Sequence, residues 1–149
     1  MAGFPLTKRL REEYERLFDQ CRVNPRAQAD ATDVAKRIAD GLEMYKSIGT
    51  PLGIPSHFIG ICHYRESNLD FRKHLYNGDP LSARTVNEPK NRPRQGNPPY
   101  TFAYSATCSL IDEGLDKWRD WSLAGTLYKL EGFNGYGYRM YYPSVLTPY

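Results

Sequence analysis

The sequence is poor in the residues from which metal centres and disulfide frameworks are built. Its three cysteines, Cys21, Cys62 and Cys108, are odd in number and far apart, with no Cys-x-x-Cys spacing. That excludes a disulfide scaffold and a cysteine-based metal or redox site, and leaves buried free thiols as the expectation. There are also only three histidines. His57 and His63 lie six apart, not at the i, i+4 spacing of a helical zinc pair, and no carboxylate completes a set with them or with His74. No metal and no cofactor are expected. Long apolar runs are missing too: none approaches the ~18 residues of a membrane span, and no basic-then-apolar leader opens the chain. The expectation is a protein without a membrane span or a visible signal peptide, so any export would need another route. Charge of one sign is equally scarce. Lys and Arg number 20 against 17 Asp and Glu, a net +3, which does not argue for nucleic acid but is compatible with attraction to an anionic polymer.

What is present fits one globular domain, 1–149, large enough to bury a core and too short for two ordinary ones. Apolar content of 40% with 25% charged residues argues against wholesale disorder. Tyrosine is the outlier at 12 residues. A ring with a polar tip suits a groove that holds sugars, and it equally suits the edge of a small core.

The periodicity is mainly helical. Over 6–21, Leu6, Leu10, Tyr14, Leu17, Phe18 and Cys21 recur at helical spacing with Arg and Glu between them. Val23-Asn24-Pro25 breaks the pattern. A second helix is predicted over 27–47, with Val34, Ile38, Leu42 and Tyr45 on one side and Gly49-Thr50-Pro51 as its stop. Two more helices are predicted near the C-terminus. One runs over 101–114 from an N-cap at Thr101, with Tyr104, Cys108 and Ile111 on one face. The other, over 117–130, carries Trp118, Trp121, Leu123, Ala124, Leu127, Tyr128 and Leu130.

The stretch that organises these elements is 53–71, GIPSHFIGICHYRESNLDF. Pro55 suits the first turn of a helix, and Phe58, Ile59, Ile61 and Cys62 form an apolar stripe. Glu66 lies one turn beyond Cys62 on the same side. A carboxylate at the edge of an apolar face is partly desolvated, which raises its pKa towards the range of a general acid. The plain alternative is an ion pair with Arg65, Arg72 or Lys73.

Beyond Glu66 the chain becomes rich in Asn and Pro, a composition of turns and short strands. Asn77-Gly78 predicts a hairpin turn between 71–76 and 81–86. Asp79 follows it, either as a group facing Glu66 or as a turn residue bonding its own backbone. The loop 88–95 holds Lys90, Arg92 and Arg94 among prolines, as a solvated loop or as a contact to anions. Gly132, Gly135 and Gly137 punctuate a final segment, EGFNGYGYR. There the backbone can approach a ligand closely, and Glu131 is a rival second carboxylate.

The run Gly53-Ile54-Pro55, apolar helix, Glu66-Ser67, then Phe71 resembles the catalytic helix of the lysozyme superfamily, especially goose-type lysozymes and lytic transglycosylases. HLYNGDPLSART and LEGFNGYGYR resemble segments of lysozyme-like domains in phage and bacterial cell-wall hydrolases. Together the three matches run in order over 52–139. The resemblance implies a mainly α (α+β) lysozyme-like fold with a small β-hairpin wall, packed around a central Glu66 helix with 117–130 as its main partner. It implies a monomer that cleaves the β-1,4 bond between N-acetylmuramic acid and N-acetylglucosamine in peptidoglycan glycan strands, in the periplasm or on the cell wall, as in an endolysin.

By the same resemblance Glu66 is the acid, while Asp79 and Thr85 match the Asp-x5-Thr half of a phage-lysozyme triad and would activate water. The gap between Glu66 and Asp79 is longer than in that group and closer to goose-type lysozyme. Ser67, Phe133, Asn134, Tyr136 and Tyr138 would bind substrate, with Phe133 replacing the usual Tyr of a Tyr-Asn-x-Gly signature. Related domains continue beyond the point where PSVLTPY stops, so a trimmed domain is expected. Two other readings stay open: a transglycosylase giving anhydromuramyl products, and a non-catalytic glycan-binding module. A nucleic-acid reading, with Lys90 to Arg94 as its cations, would need aromatic residues interleaved with them.

Overall fold

The computed structural model describes residues 4–137 and 139. It is mainly helical, and no β-strand occurs among the described residues. The helices are α1 (Lys8–Gln20), α2 (Gln28–Asp40), α3 (Leu42–Leu52), α4 (Ser56–Ser67), α5 (Phe102–Asp112) and α6 (Leu123–Phe133). Single 3-10 turns stand at Pro25–Ala27 and Leu115–Lys117. None of these helices is long and apolar enough to cross a membrane.

The described residues fall into two compact units, one within Met1–Val23 and Asp120–Tyr149 and the other Asn24–Arg119.

In the larger unit α4 lies against α3 and α2, and α5 packs on α3. α4 starts immediately after Pro55, which stands extended at the N-cap position, one residue ahead of the first turn expected for it, and Asn68 ends the helix in the left-handed conformation at φ 53°. Phe58, Ile59, Cys62 and His63 are all buried to within 1% of full enclosure. His63, not Ile61, therefore completes the apolar face. The tight packing depends on Gly60, where a side chain would run into Ile38 and the Tyr45 ring.

The single helix expected over 27–47 is two helices. Gly41 breaks it, and a β-carbon there would press on the ring of Tyr45. α3 then runs past the expected stop, with Pro51 inside its last turn, and ends at Gly53, φ 68°. In α5, Thr101 caps as predicted by accepting from the Tyr104 N–H at 3.2 Å. The buried face, however, is Phe102, Ser105, Ala106, Ser109 and Leu110, while Tyr104 and Ile111 are exposed. The small residues face inwards because they admit close packing, and because Ser105 holds a histidine ring, described below.

The expected hairpin is represented by one antiparallel bridge, Lys73 with Pro80. His74 N–H donates to Asp79 O (2.7 Å) and Leu81 N–H to Arg72 O (3.0 Å) around the Asn77-Gly78 turn. Pro80 offers no N–H, and the prolines that follow cannot extend a ladder.

In the smaller unit α1 packs on α6. α6 begins at Leu123 rather than near 117, because the Ser122 hydroxyl accepts from Gly125 N–H and is itself tied to Asp120. The unit's interior holds an ionic cluster. Glu131, 1% exposed, accepts from the Tyr14 hydroxyl and from Arg139 Nε (2.8 Å) and a terminal guanidinium nitrogen (3.0 Å). Arg139 also pairs with Glu13 at 2.8 Å and lies over the Tyr14 ring. Burial and the Glu131 carboxylate drive the Tyr14 hydroxyl well above its usual range. Glu131, the rival second carboxylate, is thus engaged in packing.

Removing one member of a buried ion pair strands the other. Glu131→Ala is expected to destabilise the protein by about 3–5 kcal/mol, measurable as a fall in the urea midpoint. Unchanged stability would mean that the cluster is solvated in solution.

Candidate active site

The last turn of α4 brings Glu66 to the rim of a hollow of about 510 Å³, lined also by Tyr64, Arg65, Ser67, Asn68 and Lys73. Glu66 is half-buried. Among the described residues its side chain makes no hydrogen bond and no ion pair. The expected alternative partner Arg72 is forked on Asp70 instead, through two bonds of 2.9 Å. Burial raises the Glu66 carboxyl above the usual glutamate range; Arg65 draws it back in part, and Glu113 pushes it further up. A raised, unbonded carboxyl at an open rim is suited to hold a proton and deliver it.

The neighbouring loop is locked to this turn. Gly78, φ +78°, leaves its missing β-carbon over the Glu66 carbonyl oxygen, so no other residue fits without a clash. Asp79 comes next, and its carboxylate organises the loop. It accepts from Val86 N–H (2.8 Å), Asn87 N–H (2.9 Å), the Asn87 side-chain amide (2.7 Å) and that of Asn77 (3.2 Å). Burial alone would raise this carboxyl, but the bonds from Asn87, Val86 and Asn77 outweigh it and hold the group below the usual aspartate range. Thr85 is 1% exposed. Its hydroxyl donates to Pro89 O and accepts from Arg92 N–H at 2.9 Å. Both groups, expected to activate water, spend their hydrogen bonds inside the loop. The Asp79 carboxylate reaches the backbone seven and eight residues on rather than that of its own turn.

Two histidines secure the same region. His74, fully buried, has Nε2 against the Ala83 carbonyl (2.8 Å) and Nδ1 against the Ser105 hydroxyl (2.6 Å). Since a carbonyl only accepts, Nε2 carries the proton, and the ring joins the loop to α5. His63 meets the Tyr45 hydroxyl at 2.9 Å and sits among the rings of Tyr45, Phe71 and Phe102. Burial lowers its pKa, against a smaller opposing pull from Asp70. Sequence reasoning missed both roles, since a histidine's burial and partners leave no local pattern.

Ser67 is buried, and its hydroxyl donates to the His63 carbonyl at 3.2 Å, so that donor turns into the helix. Phe133, Asn134 and Tyr136 belong to the smaller unit. Asn134 is exposed at the end of α6. Tyr136 stacks on Tyr128 and Phe4 and donates its hydroxyl to Tyr128 O at 2.9 Å. Tyr138 lies outside the described residues. In the basic loop, Lys90 faces Glu88 at 3.7 Å, and Arg92 lies 3.4 Å from Asp112. No group of three or more metal-ligating side chains forms among the described residues.

No family model, curated protein or solved structure matches this chain.

The two carboxylates predict opposite pH signatures. A raised folded pKa at Glu66 means that the folded state holds its proton more tightly than the unfolded chain. Its contribution is fully present below the ordinary glutamate range and lost as pH rises through the raised value. Glu66→Gln is therefore expected to unfold at a higher temperature than the parent above neutral pH, with the gain shrinking towards pH 4; a constant difference across that range would contradict a raised carboxyl. At Asp79 the sign reverses, since its lowered value stabilises the fold above the ordinary aspartate range and is lost as pH falls. Asp79→Ala is expected to cost roughly 2 kcal/mol at pH 7 and progressively less in acid, as read by denaturant titration at each pH.

Proposed function

We propose that the protein cleaves the β-1,4 bond between N-acetylmuramic acid and N-acetylglucosamine in peptidoglycan, with Glu66 as the general acid. The observation that carries this reading is the Glu66 carboxyl itself, half-buried and raised, without an ion-pair partner among the described residues, and open to a hollow at the end of a buried helix. The resemblance of 53–71 to the Glu-Ser helix of lysozyme-like enzymes supports the same assignment, and the lysozyme-like fold it implies is part of the proposal.

In the first step Glu66 gives its proton to the glycosidic oxygen, and the bond from that oxygen to the anomeric carbon breaks. The leaving sugar departs with a 4-hydroxyl. In the second step a nucleophile adds to the anomeric carbon and returns a proton to Glu66. With water as nucleophile the product is a reducing muramyl end. With the muramyl 6-hydroxyl it is an anhydro ring.

The bonding of Asp79 and Thr85 favours the second route as the alternative reading. A separate water-activating group is the element the hydrolytic route needs, and the two expected candidates, the Asp79 carboxylate and the Thr85 hydroxyl, are already hydrogen-bonded within their loop. A non-catalytic glycan-binding module is the reading left if no bond is cut.

Mass spectrometry of muropeptides released from purified peptidoglycan tests these readings directly. Soluble muropeptides from the parent, absent with Glu66→Gln, are the expected result. Reducing ends would indicate water as the nucleophile, and anhydromuramyl ends the intramolecular route. Equal product from both forms would remove Glu66 from the chemistry, and no product from either would leave a binding module.

A further inference from the structure

The hollow at Glu66 shares lining residues with a second one. About 550 Å³ in volume, this neighbour is lined by Arg37, Leu69, Asp70, Phe71 and Arg72 together with Ser67, Asn68 and Lys73, which line the Glu66 hollow as well. The cations of the second hollow are not equivalent. Arg37 donates to the Asn68 carbonyl at 2.9 Å and reaches Asp33. Arg72 is forked on Asp70.

Lys73 differs from both. Among the described residues its ammonium makes no hydrogen bond or ion pair, although it feels the field of Asp70, whose oxygens Arg72 already holds. Its backbone is fixed, with N–H bonded to Asp70 O at 3.1 Å and the residue bridged to Pro80. The side chain is half-buried. A half-buried lysine on a fixed turn, lining both hollows while the oxygens of Asp70 are held by Arg72, is suited to meet an anion. Once Glu66 carries its proton, no other acidic side chain lines the first hollow.

We propose that Lys73 is a specificity residue that binds a carboxylate carried by the substrate on the muramyl side of the scissile bond. The proposal rests on the reading of Glu66 as acid. Two carboxylates of peptidoglycan meet the description: the lactyl group, free when the stem peptide has been removed, and the acidic residues of the stem peptide itself. A chitin strand has neither, so the same site would distinguish bacterial wall from a neutral polymer with the same linkage.

Binding is measured by calorimetry on the Glu66→Gln protein, so that no fragment is consumed. Three soluble tetrasaccharides serve as probes: one bearing stem peptides, one stripped by an amidase to free lactyl carboxylates, and chitotetraose. Adding Lys73→Met is expected to weaken one or both carboxylate-bearing probes about fivefold. Chitotetraose should be unaffected, and Lys73→Arg should restore binding. A loss confined to the first probe assigns the stem peptide, and a loss on the second assigns the lactyl group. Equal weakening of all three, or no change in any, would overturn the proposal. Failure of the catalytic reading is visible separately, as parent protein that leaves every probe uncut while the Lys73 contrast persists.

Discussion

The burial of α4 governs the larger unit. Its face of Phe58, Ile59, Cys62 and His63 is closed off by α3 and α2, and Gly60 lets Ile38 and Tyr45 approach its backbone. A helix held this firmly cannot rotate, so the azimuth of Glu66 is set by core packing one turn earlier. The same packing explains why Glu66 is half-buried: it stands where the apolar face runs out, on the boundary between interior and hollow. Desolvation then raises its carboxyl without any dedicated partner.

The second constraint is carried by a charge. A β-hairpin would have supported the loop after Asn77-Gly78 with a ladder of backbone bonds, but the chain inserts Pro80 and a run of later prolines, and the ladder stops after one bridge. Asp79 supplies what the missing strands would have supplied, gathering the N–H groups of Val86 and Asn87 and the amides of Asn77 and Asn87 on one carboxylate. Thr85 and His74 complete the loop from inside, joining it to its own far end and to α5. Such a loop is held in place through side-chain bonds.

The parts of this arrangement that are local were legible in the sequence. Pro55, the apolar spacing after it, the Thr101 cap and the Asn77-Gly78 turn are each set by residues within a few positions. The parts decided by distant neighbours were not. Gly41 divides a helix where periodicity alone runs on, because an isolated glycine is tolerated inside helical patterns. Ser105 and Ser109 face the interior of α5, although polarity assigns them to solvent, because one holds His74 and both are small enough for close packing. Asp79 was a catalytic candidate through the Asp-x5-Thr resemblance it shares with Thr85 and its place just after the Asn77-Gly78 turn. Its donors arrive from a segment seven and eight residues further on, folded back by proline-rich geometry that spacing does not encode.

The difference between the two carboxylates has a chemical consequence. A base must accept a proton at the moment of reaction, and the cost is the loss of whatever the ionised form was bonding. For Asp79 that loss would be the set of hydrogen bonds holding its own loop, and the depressed carboxyl already makes it a weak acceptor. Glu66 has no such set to lose among the described residues. In the mechanism proposed for it, having given its proton to a leaving oxygen, it would be left as a partly desolvated carboxylate disposed to take one back from whichever hydroxyl next attacks the anomeric carbon. On the proposed mechanism one side chain would perform both proton transfers in sequence, while Asp79, through its hydrogen bonds, holds its own loop together.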